Sequence, residues 1–161
     1  MRKFTLITAI FLLSAVGAAG FFGCGSAQKA KVVYPPGDFK DNGNGTVTDN
    51  NTGLMWQKED DDTKRVYDKA VRYCEDLSLG GYSDWRLPDL EVLKSIRDLN
   101  QSNPAIDSTA FPNTNASIYW SSYIDHDRDP SSPWFVNFYN GNTNKMNKGS
   151  FYYVRCVRSR R

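Results

Sequence analysis

FKDNGNGTVTDNNTGLMW, residues 39–56, is the stretch on which the fold turns. Residues 39–41 and 46–48 read as two strands, and Asn42-Gly43-Asn44-Gly45 between them reads as a tight turn, Asn-Gly being the strongest short hairpin signal. Asn51-Thr52-Gly53 then turns the chain into a third, apolar strand, Leu54-Met55-Trp56. The same run superficially resembles a calcium loop. Gly43 and Gly45 stand where such a loop needs oxygen ligands, and no Glu occupies the twelfth position, so the turn is the better reading.

Working outward, residues 63–78 follow a helical period, with Val66, Ala70, Cys74 and Leu77 on one face. Asp62 or Thr63 is the expected cap, and Gly80-Gly81 the expected end. LGGYSDWRLPDLEVLKSI, residues 79–96, leads into a second helix with Asp89 as N-cap and Leu90, Leu93 and Ile96 facing inward. Residues 100–115 are rich in Asn, Ser, Thr and Pro and are expected to form an ordered loop anchored by Ile106 and Phe111. Residues 118–123 form a strand and 124–133 a polar excursion. Residues 134–139 form another strand, and Asn140-Gly141-Asn142 turns the chain into 143–147. The last strand, 152–158, is expected to place Tyr152, Val154, Cys156 and Arg158 on one face and Tyr153, Arg155 and Val157 on the other. This is an α+β pattern, with two helices in the N-terminal half and antiparallel strands in the C-terminal half.

The N-terminus carries different information. Arg2 and Lys3 precede an apolar run over 4–23, and Cys24 follows Gly23. A basic region, an apolar core and a small residue at the junction are the parts of a secretory signal. With the cysteine placed first in the mature chain, they resemble a lipoprotein signal. Cleavage near Gly17–Gly20, or an uncleaved anchor of roughly 20 apolar residues, are the competing readings. The expected organisation is a signal peptide over 1–23, a lipidated tether over 24–37 ending in Pro35-Pro36-Gly37, and one domain over 38–161. Gly25 replaces the Asp of a retention signal. The expected location is therefore a bacterial cell envelope, at the outer membrane where the cell has two.

The net charge is +2, from 20 basic and 18 acidic side chains. Arg2 and Lys3 account for the excess, so residues 24–161 are neutral and lack the basic stripe that nucleic-acid binding needs. Glu59-Asp60-Asp61-Asp62 and the tail Arg155, Arg158, Arg160, Arg161 are read as a solvated loop and a frayed terminus. With Cys24 used for lipid, Cys74 and Cys156 remain as an even pair in an exported chain, which favours a disulfide. Such a bridge closes a loop of roughly 83 residues, worth ~4–5 kcal/mol in the chain-entropy account. A metal site would want more Cys or His at short spacing, and the chain has one His, His126. No cofactor is expected.

The words at 39–56, YC at 73–74, LGGYSDWRLP from Leu79, YWSS at 119–122, WFVNFYNG from Trp134 and VRCVR at 154–158 together resemble the Lcl C-terminal domain, named after a bacterial collagen-like adhesin. The resemblance covers about residues 39–158. It implies a C-type-lectin-like fold related to sulfatase-modifying domains, an exported or lipid-anchored setting, and pairing of Cys74 with Cys156. The Gly-X-Y stalk of the named adhesin is missing. So are the Glu-Pro-Asn or Gln-Pro-Asp and Trp-Asn-Asp elements of calcium-dependent sugar-binding lectins; Asn103-Pro104-Ala105 lacks their partners. Formylglycine-generating relatives need a reactive cysteine pair, whereas Cys74 and Cys156 lie in buried patterns that suit a structural bridge.

No nucleophile, base and oxyanion set stands out. His126, between Asp125 and Asp127, reads as an exposed charged loop. Asp84, beside Trp85 and Arg86, reads as part of an internal ion pair. The best surface for function is the Asn- and aromatic-rich stretch 119–147, since rings stack on sugars while amides hydrogen-bond them. Trp120, Trp134 and Phe138 are expected in the core, leaving Tyr139, Asn140 and Asn142 as candidate ligand contacts. The expected function is extracellular binding or adhesion through a glycan or surface protein. An envelope enzyme or an accessory subunit on the sulfatase-modifying type of fold is the alternative.

Overall fold

A computed structural model describes residues 37–159. The expected signal peptide, Cys24, nearly all of the expected tether, and Arg160 and Arg161 lie outside the described residues. The element order is β1 (Phe39–Asp41), β2 (Thr46–Asp49), β3 (Leu54–Gln57), α1 (Tyr67–Glu75), α2 (Leu90–Ser95), β4 (Ile118–Asp125), β5 (Asp129–Asn137), β6 (Asn142–Lys145) and β7 (Val157–Ser159). The α+β reading holds. Both helices lie in the N-terminal half and β4–β6 in the C-terminal half as expected, and the three strands expected over 39–56 precede the helices. Those three strands join β7 in an antiparallel sheet of order β1-β2-β3-β7, and the second sheet is β4-β5-β6.

The 39–56 stretch folds as its turn residues dictate. Phe39 pairs with Asp49 and Asp41 with Val47, and β2 pairs with β3 across the 50–53 turn. Gly43, Gly45 and Gly53 have φ values of 73, 83 and 70°, the left-handed region that glycine enters at little cost. The Asp41 carboxylate accepts from the Gly43 N–H at 2.9 Å and pairs with Lys58 at 2.8 Å.

Both helices are shorter than their apolar periods. Residues 63–66 are outside α1; Val66 is the N-cap, and no side chain caps it. Instead the Tyr67 N–H donates to Lys148 O at 3.0 Å, a cap delivered from the far end of the chain. Arg65 is bridged to Tyr152, which holds the approach to α1 extended. Gly80 and Gly81 do not end α1. They shape the turn that brings Leu79 opposite Tyr82. Asp89 caps α2 as expected, accepting from the Val92 N–H at 2.9 Å.

Residues 124–133 are a further departure. The segment is the distal part of the β4–β5 hairpin, with Ile124 opposite Pro133 and Asp125 opposite Asp129 across a turn at 126–128. Register shifts between Trp120 and Asp125 bend the strand there. Such bulges re-aim a strand end that carries polar residues.

Two apolar clusters form the interior. One joins Val47, Trp56, Leu93, Ile96, Phe111, Tyr119, Val136, Phe138 and Val157; the other joins Met55, Cys74, Trp85, Leu87, Trp120, Phe135, Val154 and Cys156. Strand alternation explains the division. Tyr119 and Val136 are paired neighbours in one cluster, and Trp120 and Phe135 are paired neighbours in the other.

The C-terminal segment runs between these clusters. It bridges Arg65, Tyr119 and Arg86 before joining β3. Consequently 154–158 is buried along its whole length, and the expected two-faced strand over 152–158 shortens to Val157–Ser159. Cys74 and Cys156 are joined in a disulfide, with Cα atoms 5.5 Å apart. It ties α1 to this central segment.

Glu59, Asp61 and Asp62 are exposed as expected, but Asp60, Arg155 and Arg158 depart from the expected solvated state. Arg155 is fully buried and pairs with Asp60 at 3.2 Å, and Arg158 is held by Asp84 at 2.6 and 3.1 Å. Arg155 also donates to Gln57 O, Lys58 O and Thr114 Oγ1. Tyr119 donates to Asp60 Oδ2 at 2.6 Å, and burial pushes its phenol well above the usual tyrosine range. One residue from each charge run, Asp60 and Arg155, thus meets the other inside the domain.

Candidate functional site

The β5–β6 hairpin positions the candidate site. Its register sets Phe135 opposite Asn144 and Asn137 opposite Asn142. Cross-strand partners share a face, and so do residues two apart on one strand, so these four side chains point to the same side. The opposite face carries Val136, which packs in the core. A groove of about 450 Å³ lies at this hairpin, lined by Arg97, Phe135, Asn137, Asn140, Gly141, Asn142, Thr143 and Asn144.

Arg97 enters from just beyond α2. Its Nε donates to Lys94 O at 3.2 Å and its Nη1 to Gly141 O at 2.5 Å. Burial lowers its pKa from the ordinary value, and a guanidinium remains charged at neutral pH. Gly141 has φ 75°, and a Cβ there would stand 2.5 Å from Leu99 Cδ2. The backbone conformation calls for glycine, and a Cβ would also oblige the exposed end of the Leu99 side chain to shift. The segment following α2 is pinned to the hairpin again where Ala105 N–H donates to Phe138 O at 2.6 Å.

Of the residues expected to contact a ligand, Asn140 and Asn142 line this groove. Tyr139 is exposed at the hairpin tip, is not among the lining residues, and accepts from the Asn103 N–H through its carbonyl. Trp120 and Phe138 are fully buried, whereas Trp134 is half-buried against the core. Sequence reasoning missed Arg97, Asn137 and Asn144. The last two were within reach, because strand parity sets them beside Asn142 once the hairpin turn is fixed. Arg97 gives no local signal; it arrives through the packing of α2 against β5.

The other candidates lead elsewhere. His126 lies on the exposed 126–128 turn and has no hydrogen-bond partner among the described residues. Asp84 forks onto Arg158, whose guanidinium stacks 3.8 Å from the Tyr82 ring centroid. This is a structural arrangement of an internal pair, though with Arg158 rather than the adjacent Arg86. Among the described residues, no group of three or more His, Cys, Asp or Glu side chains is placed to hold a metal ion.

Residues 45–158 match the model of the Lcl C-terminal domain. No curated protein matches the chain. The match spans most of the sequence, from the end of the first hairpin turn through both disulfide cysteines and the groove. The chain belongs to the Lcl C-terminal domain family.

Proposed function

We propose that this protein is an extracellular binding module of the bacterial envelope, anchored by lipid at Cys24 and contacting a glycan or other polar polymer at the β5–β6 groove. The groove carries the reading: polar amides, a hydroxyl and one guanidinium line it beside the buried Phe135, and such convergent directional polar groups suit sugar recognition. The buried disulfide supports an oxidising compartment, and the leader supports export. The two antiparallel sheets, the two helices and the long irregular segment between α2 and β4 support a C-type-lectin-like arrangement.

A glycan array probed with the wild-type domain and with Asn140→Ala tests the site. A signal lost in the variant is expected; a signal that survives unchanged removes the groove from consideration. Intact mass of the native protein before and after alkylation tests the anchor. A chain that retains residues 1–23 with an unmodified Cys24 would sink the lipoprotein assignment.

A further inference from the structure

The asparagines of the groove are less versatile than their side chains allow. Asn137 Oδ1 accepts from the Tyr139 N–H at 2.9 Å, Asn140 Oδ1 from the Asn142 N–H at 3.0 Å, and Asn144 Oδ1 from the Lys145 N–H at 2.8 Å. Each contact is a local side-chain-to-backbone bond of the kind Asn favours in turns. A backbone N–H can bond only the amide oxygen, so each of these side chains directs its NH2 group outward. What remains free is a set of donors.

Arg97 adds to the same sign. A guanidinium has five N–H donors and no acceptor, and its two hydrogen-bond partners among the described residues are the carbonyls of Lys94 and Gly141. Among the described residues it has no carboxylate partner. Glu91, whose charge is felt at Arg97, is held by Lys94 at 2.7 Å. Asp98, next in the chain, spends its carboxylate on the Asn100 N–H and the Gln101 amide. The lining of the groove therefore presents one partly desolvated cation and three outward amides, with Asn142 and Thr143 as its remaining side-chain acceptors.

We propose that the groove binds its ligand through a carboxylate, carried by an acidic sugar. A neutral sugar presents hydroxyls that must donate as well as accept, and a donor-rich wall leaves most of those protons unpaired. A carboxylate accepts only, and its planar pair of oxygens matches the free edge of a guanidinium. The same bond supplies the counter-charge that the fold withholds from Arg97. Phe135, buried in the second apolar cluster, backs the groove from the interior. This inference rests on the groove being the ligand contact.

The test is calorimetric titration of the folded, disulfide-bonded domain with trigalacturonate and with its methyl ester, which has the same rings but no charge. The acid is expected to bind at least tenfold more tightly than the ester. Asn140→Asp and Asn144→Asp each keep an acceptor for the backbone N–H they cap while turning an outward donor into an anion. Both are expected to lose at least tenfold in affinity for the acid with an unchanged melting temperature. Arg97→Lys keeps the charge but not the planar fork, and is expected to fall between them and the wild type. Equal affinity for acid and ester, wild-type affinity in both Asp variants, or no binding of the acid overturns the carboxylate. In the first case, loss of both ligands on Asn140→Ala leaves the groove standing as a neutral-sugar site. Binding untouched by any groove variant overturns the groove as well.

Discussion

Asp60→Asn removes the one anion that faces the buried Arg155 while keeping the side-chain shape. The Arg155 side chain is 0% exposed and that of Asp60 2%, so water cannot take over the lost role. Breaking a buried pair by deleting one partner costs about 3–5 kcal/mol. Arg155 keeps three other acceptors, at Gln57, Lys58 and Thr114. The Tyr119 hydroxyl can still donate to an amide oxygen. The cost should therefore lie near the low end, about 3 kcal/mol. With a urea m-value of about 2 kcal/mol/M for a small domain, the unfolding midpoint should fall by about 1.5 M. Arg155→Met alone should cost a similar amount, because it strands the carboxylate. The double variant should cost clearly less than the two single changes together, since neither charge then lacks its partner. Equilibrium urea unfolding followed by tryptophan fluorescence measures all three. Asp41→Asn, at the exposed pair with Lys58, is the control and should leave the midpoint in place. A midpoint shift for Asp60→Asn as small as that control's would refute the buried-pair argument.

Replacing both Cys74 and Cys156 by Ser should lower stability by about 4 kcal/mol for a loop of this length; thermal unfolding with and without reductant measures it. Gly141→Ala should destabilise more than Gly53→Ala. Both positions have positive φ, but only the first meets a neighbour, Leu99. Adding Leu99→Ala should recover part of the Gly141→Ala loss in melting temperature, and no recovery would count against the steric contact. The Asn100 N–H, and after it the Gln101 amide, hold the Asp98 carboxyl below its ordinary range. A depressed folded-state value means that the stabilisation is complete above the unfolded pKa and disappears as pH falls through the folded one. Asp98→Asn should therefore lower the melting temperature at pH 6 and have less effect below the ordinary carboxylate range; equal losses at pH 6 and pH 2 would contradict the assignment.

Local chemistry was legible where one short segment decides the outcome. The Asn-Gly turn at 42–45, Asp89 before α2, and the inward positions of Leu90, Leu93 and Ile96 all follow from residues within a few places of one another. The start of α1 was misread because its cap is the Lys148 carbonyl, 81 positions from the Tyr67 N–H it serves. Arg155 and Asp60 looked solvated for the same reason, since nothing near either residue announces that the other will meet it at a separation of 95. The groove lies between these cases. Asn140 and Asn142 stand out as a hairpin tip, Asn137 and Asn144 follow from strand parity, and Arg97 depends wholly on tertiary packing. Outward amide direction could not be read at all, because it depends on which backbone N–H each oxygen caps.

The position of the disulfide has a mechanical consequence. The chain enters the domain at β1, a three-residue edge strand paired only with β2. Tension applied through the preceding residues would therefore peel β1 first and then draw on β2 and β3. The covalent link at Cys74 stops that extraction. About 37 residues of the domain precede it, so the length released from the domain under load is capped at about 120 Å. Arg97 and residues 135–144 all lie between Cys74 and Cys156. A pulled domain would lengthen like a safety tether while the grip at its far side stayed looped behind the lock.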